Sequence, residues 1–188
     1  MIIEEKEINN YTYVSVKFNA KEDKKILDKI KQKAKEDALK VNKKSPDGII
    51  RENDLIGYNN LGGVLAEKIV KLYLNQKAEQ NNIKVNIFSP PFTGHFEHRD
   101  IKINLNGKEK TIEIRSSFQY KQPDLNKVIS SSLSLIGPYT TSYKGEEPEK
   151  DFFIQVFHRY FNPEIIEKIE NEIEAIIIGG VQKNFLKK

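Results

Sequence analysis

The chain has 188 residues, of which 38% are hydrophobic and 31% charged, with a formal net charge of +4, so we expect one globular domain. It contains no cysteine, which excludes disulfides and thiolate metal sites. No segment approaches the roughly 18 apolar residues that span a bilayer, and the N-terminus is too charged for a signal peptide. We therefore expect a cytoplasmic protein with no membrane partner.

Residues 1–48 are predicted to form a strand and a basic helix. Residues 11–18 alternate between apolar and polar side chains, as a strand does. Asn19 is suited to cap a helix that runs to about residue 41. Its apolar stripe comprises Ile26, Ile30, Ala34, Ala38 and Val41. Residues 21–44 carry ten lysines against five acids, a charge that suits a polyanionic partner but that, taken by itself, a solvated helix face explains better.

A second helix is predicted over residues 61–75, after a turn-rich break at 42–48 and an unassigned connector at 49–60. Its apolar face comprises Leu61, Leu65, Ile69, Leu72 and Tyr73. Glu67 lies at the edge of the polar side. Taken alone, it is an ordinary surface glutamate with Lys71 one turn further on.

After a short strand at residues 83–88, the stretch 94–118 is predicted to be a β-hairpin. Asn106-Gly107 suits a two-residue type I′ turn, because both central residues need a positive φ. Counting outward from that turn places Asp100 opposite Glu113. The same count pairs Leu105 with Lys108, Lys102 with Thr111, and His98 with Arg115.

The two faces of this hairpin differ in chemistry, because successive side chains of a strand point to opposite sides. One face carries His98, Asp100, Lys102, Glu113 and Arg115, and the other carries Ile101, Ile103, Leu105, Ile112 and Ile114. Facing carboxylates destabilise a sheet unless a positive group lies between them. A divalent cation would meet that need, and so would Arg115 or Lys102, in which case both acids are ordinary surface carboxylates.

The C-terminal part is predicted to continue with a helical turn, a loop and a strand–helix–strand unit. The turn begins at Asp124 and uses Leu125, Val128, Ile129 and Leu133. A long loop covers residues 137–150, and residues 152–158 form a buried central strand. Asn162-Pro163-Glu164 is a helix start, and a last strand covers 175–181. The stripe of that helix comprises Ile165, Ile166, Ile169 and Ile173.

The order from residue 61 onward is helix, three strands, helix and strand, which resembles the αβββαβ core of the PD-(D/E)xK nucleases, the restriction-endonuclease-like superfamily. Asp100 matches the acid of the family's second strand, Glu113-Ile114-Arg115 its (D/E)xK triplet, and Glu67 its helix glutamate. The resemblance spans residues 61–158, about half the chain. It implies an α/β fold with a mixed central sheet flanked by helices. Residues 49–188 would be the core and residues 1–48 a strand–helix extension, all in a single domain.

The resemblance implies a Mg²⁺-dependent endonuclease that hydrolyses phosphodiester bonds in double-stranded DNA, as type II restriction enzymes do. One or two Mg²⁺ ions, with Mn²⁺ as an alternative, would be held by Asp100, Glu113 and the carbonyl of Ile114. Glu67 would hold a second ion or a more distant water. Arg115 would stabilise the charge of the transition state, but it stays protonated and cannot act as the base that the family's lysine can be. Cutting both strands commonly needs two active sites, so a homodimer is compatible with this function.

Other functions remain open on the sequence. A catalytically weakened nucleic-acid-binding or protein-interaction module could use the same scaffold, and so could a metal-dependent phosphatase or an oligomeric interaction protein. His98 and Asp100 are two residues apart on one strand, which permits a mixed site for zinc or manganese. His95 and His158 are the remaining histidines.

Overall fold

A computed structural model of the chain describes residues 1–41, 43–44, 50–91, 99–119, 125–126, 128 and 150–182, with the backbone alone for residues 99, 100 and 181. The strands are Ile2–Ile8 (β1), Tyr11–Asn19 (β2), Val85–Phe88 (β3), Arg99–Leu105 (β4), Lys108–Phe118 (β5), Phe152–His158 (β6) and Glu172–Gln182 (β7). The main helices are Lys24–Ala38 (α1), Asn53–Gln80 (α2) and Ile165–Glu170 (α3), and a 3₁₀ turn at Asn162–Glu164 precedes α3.

All seven strands belong to one sheet, in the order β1-β2-β7-β6-β5-β4-β3. Neighbouring strands are antiparallel, except that β5 and β6 run parallel. The predicted α/β class with a mixed sheet and flanking helices is therefore confirmed. β2, predicted as part of an extension, pairs with β7 in this same sheet.

The predicted hairpin register is confirmed where the structure describes it. Asp100 pairs with Glu113, and Leu105 pairs with Lys108 at the turn. Asn106 and Gly107 have φ values of 50° and 77°, as a type I′ turn requires. The predicted partner of Arg115, His98, lies outside the described residues.

The main hydrophobic core lies between one face of the sheet and the two long helices. On α2, Leu65 and Ile69 are fully buried, and they belong to the same cluster as Ile112 and Ile114 of β5. A smaller cluster on the opposite face contains Phe157, Ile176, Ile178 and Val128. Consequently β5 has an apolar side toward α2 and a polar side away from it.

Two helix boundaries differ from the predictions. α1 begins only at Lys24, because Asn19 ends β2 and its side chain accepts hydrogen bonds from the backbone N–H groups of Lys21 and Glu22 in the following turn. It ends at Ala38. α2 has 28 residues and includes most of the predicted connector. Asn60, a weak helix former, is buried within α2, and its amide donates to the carbonyl of Ile56. Burial against the rest of the fold outweighs local propensity there.

The C-terminal and N-terminal strands also correct the sequence interpretation. Ile173 belongs to β7 and not to the preceding helix, which ends at Glu170, and Ile166 is exposed. β1 was missed, since only its pairing with β2 makes its charged sequence a strand. The predicted break at 42–48 and the turn after Asp124 lie mostly outside the described residues, and so does the loop at 137–150.

Candidate functional site

Glu113 and Arg115 lie on the side of β5 that faces away from α2. Their neighbours Ile112 and Ile114 point into the main core, so strand alternation directs the two charged side chains to the opposite face. Glu113 is 1% exposed and Arg115 8% exposed. Neither residue is a surface group, although sequence alternation alone allowed that interpretation.

The two side chains form a buried ion pair, in which Arg115 Nη2 lies 2.6 Å from Glu113 Oε1. Lys102, the other cation that the sequence offered, pairs instead with the exposed Glu109 at 2.7 Å. Burial makes the Glu113–Arg115 attraction stronger than that of the surface pair, but it also removes both charges from water.

Asp100 is directly opposite Glu113 in the β4–β5 ladder. Ile114 pairs with Arg99 on one side and with Ile154 on the other, so its backbone lies inside the sheet. The structure thus brings three of the predicted ligand positions, Asp100, Glu113 and Ile114, to one place on adjacent strands.

Two polar residues near Arg115 were not predicted as part of the site. Gln155 is directly opposite Arg115 in the parallel β5–β6 ladder, and its amide donates to Ser117 Oγ at 3.0 Å. Strand alternation could have placed Ser117 on this face, since it lies two residues after Arg115. Gln155 stands out in sequence as the uncharged polar residue of a buried strand, but only the ladder shows which residue it meets.

Glu67 does not join this cluster, because α2 packs on the other side of the sheet. Its carboxylate accepts hydrogen bonds from Lys33 Nζ at 2.9 and 2.8 Å and from Ser89 Oγ, and Glu67 is 6% exposed. Lys71 Nζ donates to Ser89 Oγ at 3.0 Å. Burial is the main cause that lowers the pKa of Lys71. Glu67 therefore belongs to a separate polar cluster between α1 and α2.

His158 is the one histidine within the described residues, and it is fully buried. Its Nε2 lies 3.1 Å from the carbonyl of Gly62, so Nε2 carries the proton, and Nδ1 accepts from the hydroxyl of Tyr160 at 3.2 Å. Burial lowers the pKa of His158 to about 4. These contacts occupy both ring nitrogens and give His158 a structural role. His95 and His98 lie outside the described residues.

Among the described side chains, no group of three or more histidines or acids could hold a metal ion. Nor is any helix in the described ranges long and apolar enough to cross a bilayer.

Comparison with known proteins finds a relative of similar sequence. The chain is 37% identical over 139 residues to the uncharacterized protein MJECS01 of Methanocaldococcus jannaschii. The matched region is 70% of this chain but 50% of the relative, so the chain spans about half the length of that protein. No family model matches the chain, and no solved structure matches it significantly.

Proposed function

We propose that this chain is a Mg²⁺-dependent endonuclease that cleaves DNA in an active site containing Asp100 and Glu113. The observation that carries the proposal is the pairing of these two acids across the β4–β5 ladder. Carboxylates on adjacent strands can bind one hard cation together. The strand arrangement adds support, because α2 precedes three antiparallel strands, β3 to β5, and β6 then runs parallel to β5. The αβββαβ nuclease core likewise has a helix before three strands and a fourth strand after them; the segment of its second helix, between β5 and β6, lies mostly outside the described residues.

The donor set fits Mg²⁺, which prefers carboxylate and carbonyl oxygens. Asp100 and Glu113 would hold the ion with the carbonyl of Ile114, whereas Glu67 is left out of this centre because Lys33 and Ser89 already bind its carboxylate. A Mg²⁺ ion held by these oxygens would supply polarisation of the phosphate and a lowered pKa of a bound water.

Arg115 has two roles in this proposal. It neutralises Glu113 within the buried pair. When DNA binds, its guanidinium would turn to the scissile phosphate and stabilise the charge that develops there. Because Arg115 stays protonated, it cannot act as the base, and another group would have to accept the proton.

Plasmid cleavage with Mg²⁺, Mn²⁺ or EDTA tests the proposal directly. We expect cleavage with either metal and none with EDTA. Glu113→Gln should abolish cleavage and leave binding to DNA in EDTA intact. The matched control is Glu109→Gln, which removes an exposed carboxylate from the same strand and should cleave at the normal rate. Equal activity of Glu113→Gln and the control would contradict the proposal.

A second candidate is a nucleic-acid-binding module without catalysis. The observation that favours it is the Glu113–Arg115 contact itself, since an acid already paired with arginine is a poorer metal ligand. Salt-dependent DNA binding, together with no cleavage under any divalent metal, would support this candidate over the endonuclease.

A further inference from the structure

A basic cleft lies between α1 and α2, on the side of the sheet opposite Glu113. Its cavity volume is about 430 Å³. Five lysines line it against a single acid, Glu67. The lysines are Lys25, Lys29 and Lys33 of α1 and Lys68 and Lys71 of α2. The net charge of this one lining, +4, thus equals that of the whole chain.

Helix geometry explains why the lysines converge. Lys25, Lys29 and Lys33 are spaced by four residues, so they lie in a row along one side of α1 that is roughly 12 Å long at 1.5 Å per residue. Lys68 and Lys71 are three residues apart on α2 and form the opposing wall. Apolar residues, including Ile30 and Val64, also line the cleft.

Glu67, the acid in the cleft, compensates the charge of only one of these lysines. Both oxygens of Glu67 bind Lys33, so its charge is compensated by one lysine. Lys25, Lys29 and Lys68 make no ion pair with any described residue. Elsewhere on α1 the situation differs, since Lys24 pairs with Asp28, and Lys31 pairs with Asp28 and Glu170. The excess positive charge is therefore concentrated at the cleft.

We propose that the α1–α2 cleft binds the phosphate backbone of a single nucleic-acid strand through Lys25, Lys29, Lys68 and Lys71. A concave site lined by one sign of charge concentrates the opposite charge, and a row of lysines matches a ligand with regularly repeated phosphates. The cleft is too small to enclose a duplex, whose major groove alone is about 12 Å wide. The cleft lies across the sheet from Glu113, so this binding does not depend on the proposed cleavage site.

Fluorescence anisotropy in EDTA, with labelled single-stranded DNA, single-stranded RNA and duplex DNA as probes, tests the proposal without cleavage. We expect either single strand to bind, and substitution of cleft lysines to weaken single-strand binding more than duplex binding, because duplex DNA can also bind at the proposed cleavage site. Four lysine–phosphate contacts give a slope of log affinity against log salt of about −2.8, which weakens binding about 50-fold between 50 and 200 mM salt. Unlabelled pyrophosphate as competitor distinguishes a strand from a small anion.

The decisive variants are Lys25→Gln/Lys29→Gln and its matched control Lys21→Gln/Lys35→Gln. Both remove two positive charges from the N-terminal basic segment, but Lys21 and Lys35 do not line the cleft. The cleft variant should reduce the salt slope by about 1.4 and weaken binding, while the control should change binding little. Equal losses in both variants, a cleft variant that weakens duplex binding as much as single-strand binding, competition by pyrophosphate at the affinity of the strand, or no single-strand binding at all would overturn the proposal. A loss of cleavage by Glu113→Gln leaves this result unaffected.

Discussion

Arg115 and Glu113 form a buried ion pair only two residues apart on β5, with 2.6 Å between Nη2 and Oε1. Lys102 and Glu109 form a partly exposed pair on the same hairpin. The hairpin thus contains a buried and an exposed ion pair side by side, and their energetic contributions should differ.

Removal of the buried carboxylate should destabilise the fold more than removal of the exposed one. Glu113→Ala removes a carboxylate that pairs with the buried charge of Arg115, and we expect the free energy of unfolding to fall by about 3 kcal/mol. Glu109→Ala should cost less than about 1 kcal/mol. Urea denaturation of both variants measures the difference. Glu113→Leu/Arg115→Met removes both charges and should be more stable than Glu113→Ala; a lower stability would contradict this account.

His158 should make stability depend on pH below neutrality. Its pKa is about 4 in the folded chain against a usual value of 6.5, so the unfolded chain binds the proton more readily. The contribution of neutral His158 to the free energy of unfolding is complete above pH 6.5. It is lost as the pH falls toward 4, by up to about 1.4 kcal/mol per pH unit.

Urea denaturation of the unmodified chain and of His158→Gln, at several pH values from 7.5 to 4.5, measures this contribution. Glutamine can still donate to the carbonyl of Gly62 but does not titrate. The difference in stability between the two proteins should narrow as the pH falls. A difference that stays constant across this range would show that His158 is not responsible.

Two glycines of α2 should respond in opposite ways to alanine. A Cβ at Gly62 would lie 2.5 Å from Cζ and 2.7 Å from Cε2 of Phe118, whose ring packs against His158. Gly62→Ala should therefore cost about 1–3 kcal/mol. A Cβ at Gly57 meets nothing within 4 Å, so Gly57→Ala should stabilise the helix by about 0.5–1 kcal/mol. Thermal denaturation of both variants checks the sign, and equal effects would contradict this explanation.

The turn that aligns Asp100 with Glu113 should be sensitive at its second position. Gly107 has a φ of 77°, which a side chain rarely adopts, so Gly107→Ala should lower stability by about 1 kcal/mol. Asn106→Gly, at a φ of 50°, serves as the control and should change stability by only a few tenths. Chemical denaturation of both variants measures the effect, and an unaffected Gly107→Ala would show that the turn does not need glycine.

The sequence by itself determined the pairing of Asp100 with Glu113, because a two-residue turn and the period of two leave a single register. It also determined β6 at residues 152–158, since a short apolar run with both faces buried is a local signal. Taken on its helix alone, Glu67 is a surface glutamate beside Lys71, but the structure buries it, because its partners come from other elements.

Only the tertiary structure decided which charges meet. Lys33 reaches Glu67 from 34 residues away, and α2 lies on the opposite side of the sheet from Glu113. Helix and strand periods fix which residues share a face of one element, but they carry no information on which other element covers that face. The packing of α1 against α2, and of both against the sheet, supplied that information and created the basic cleft.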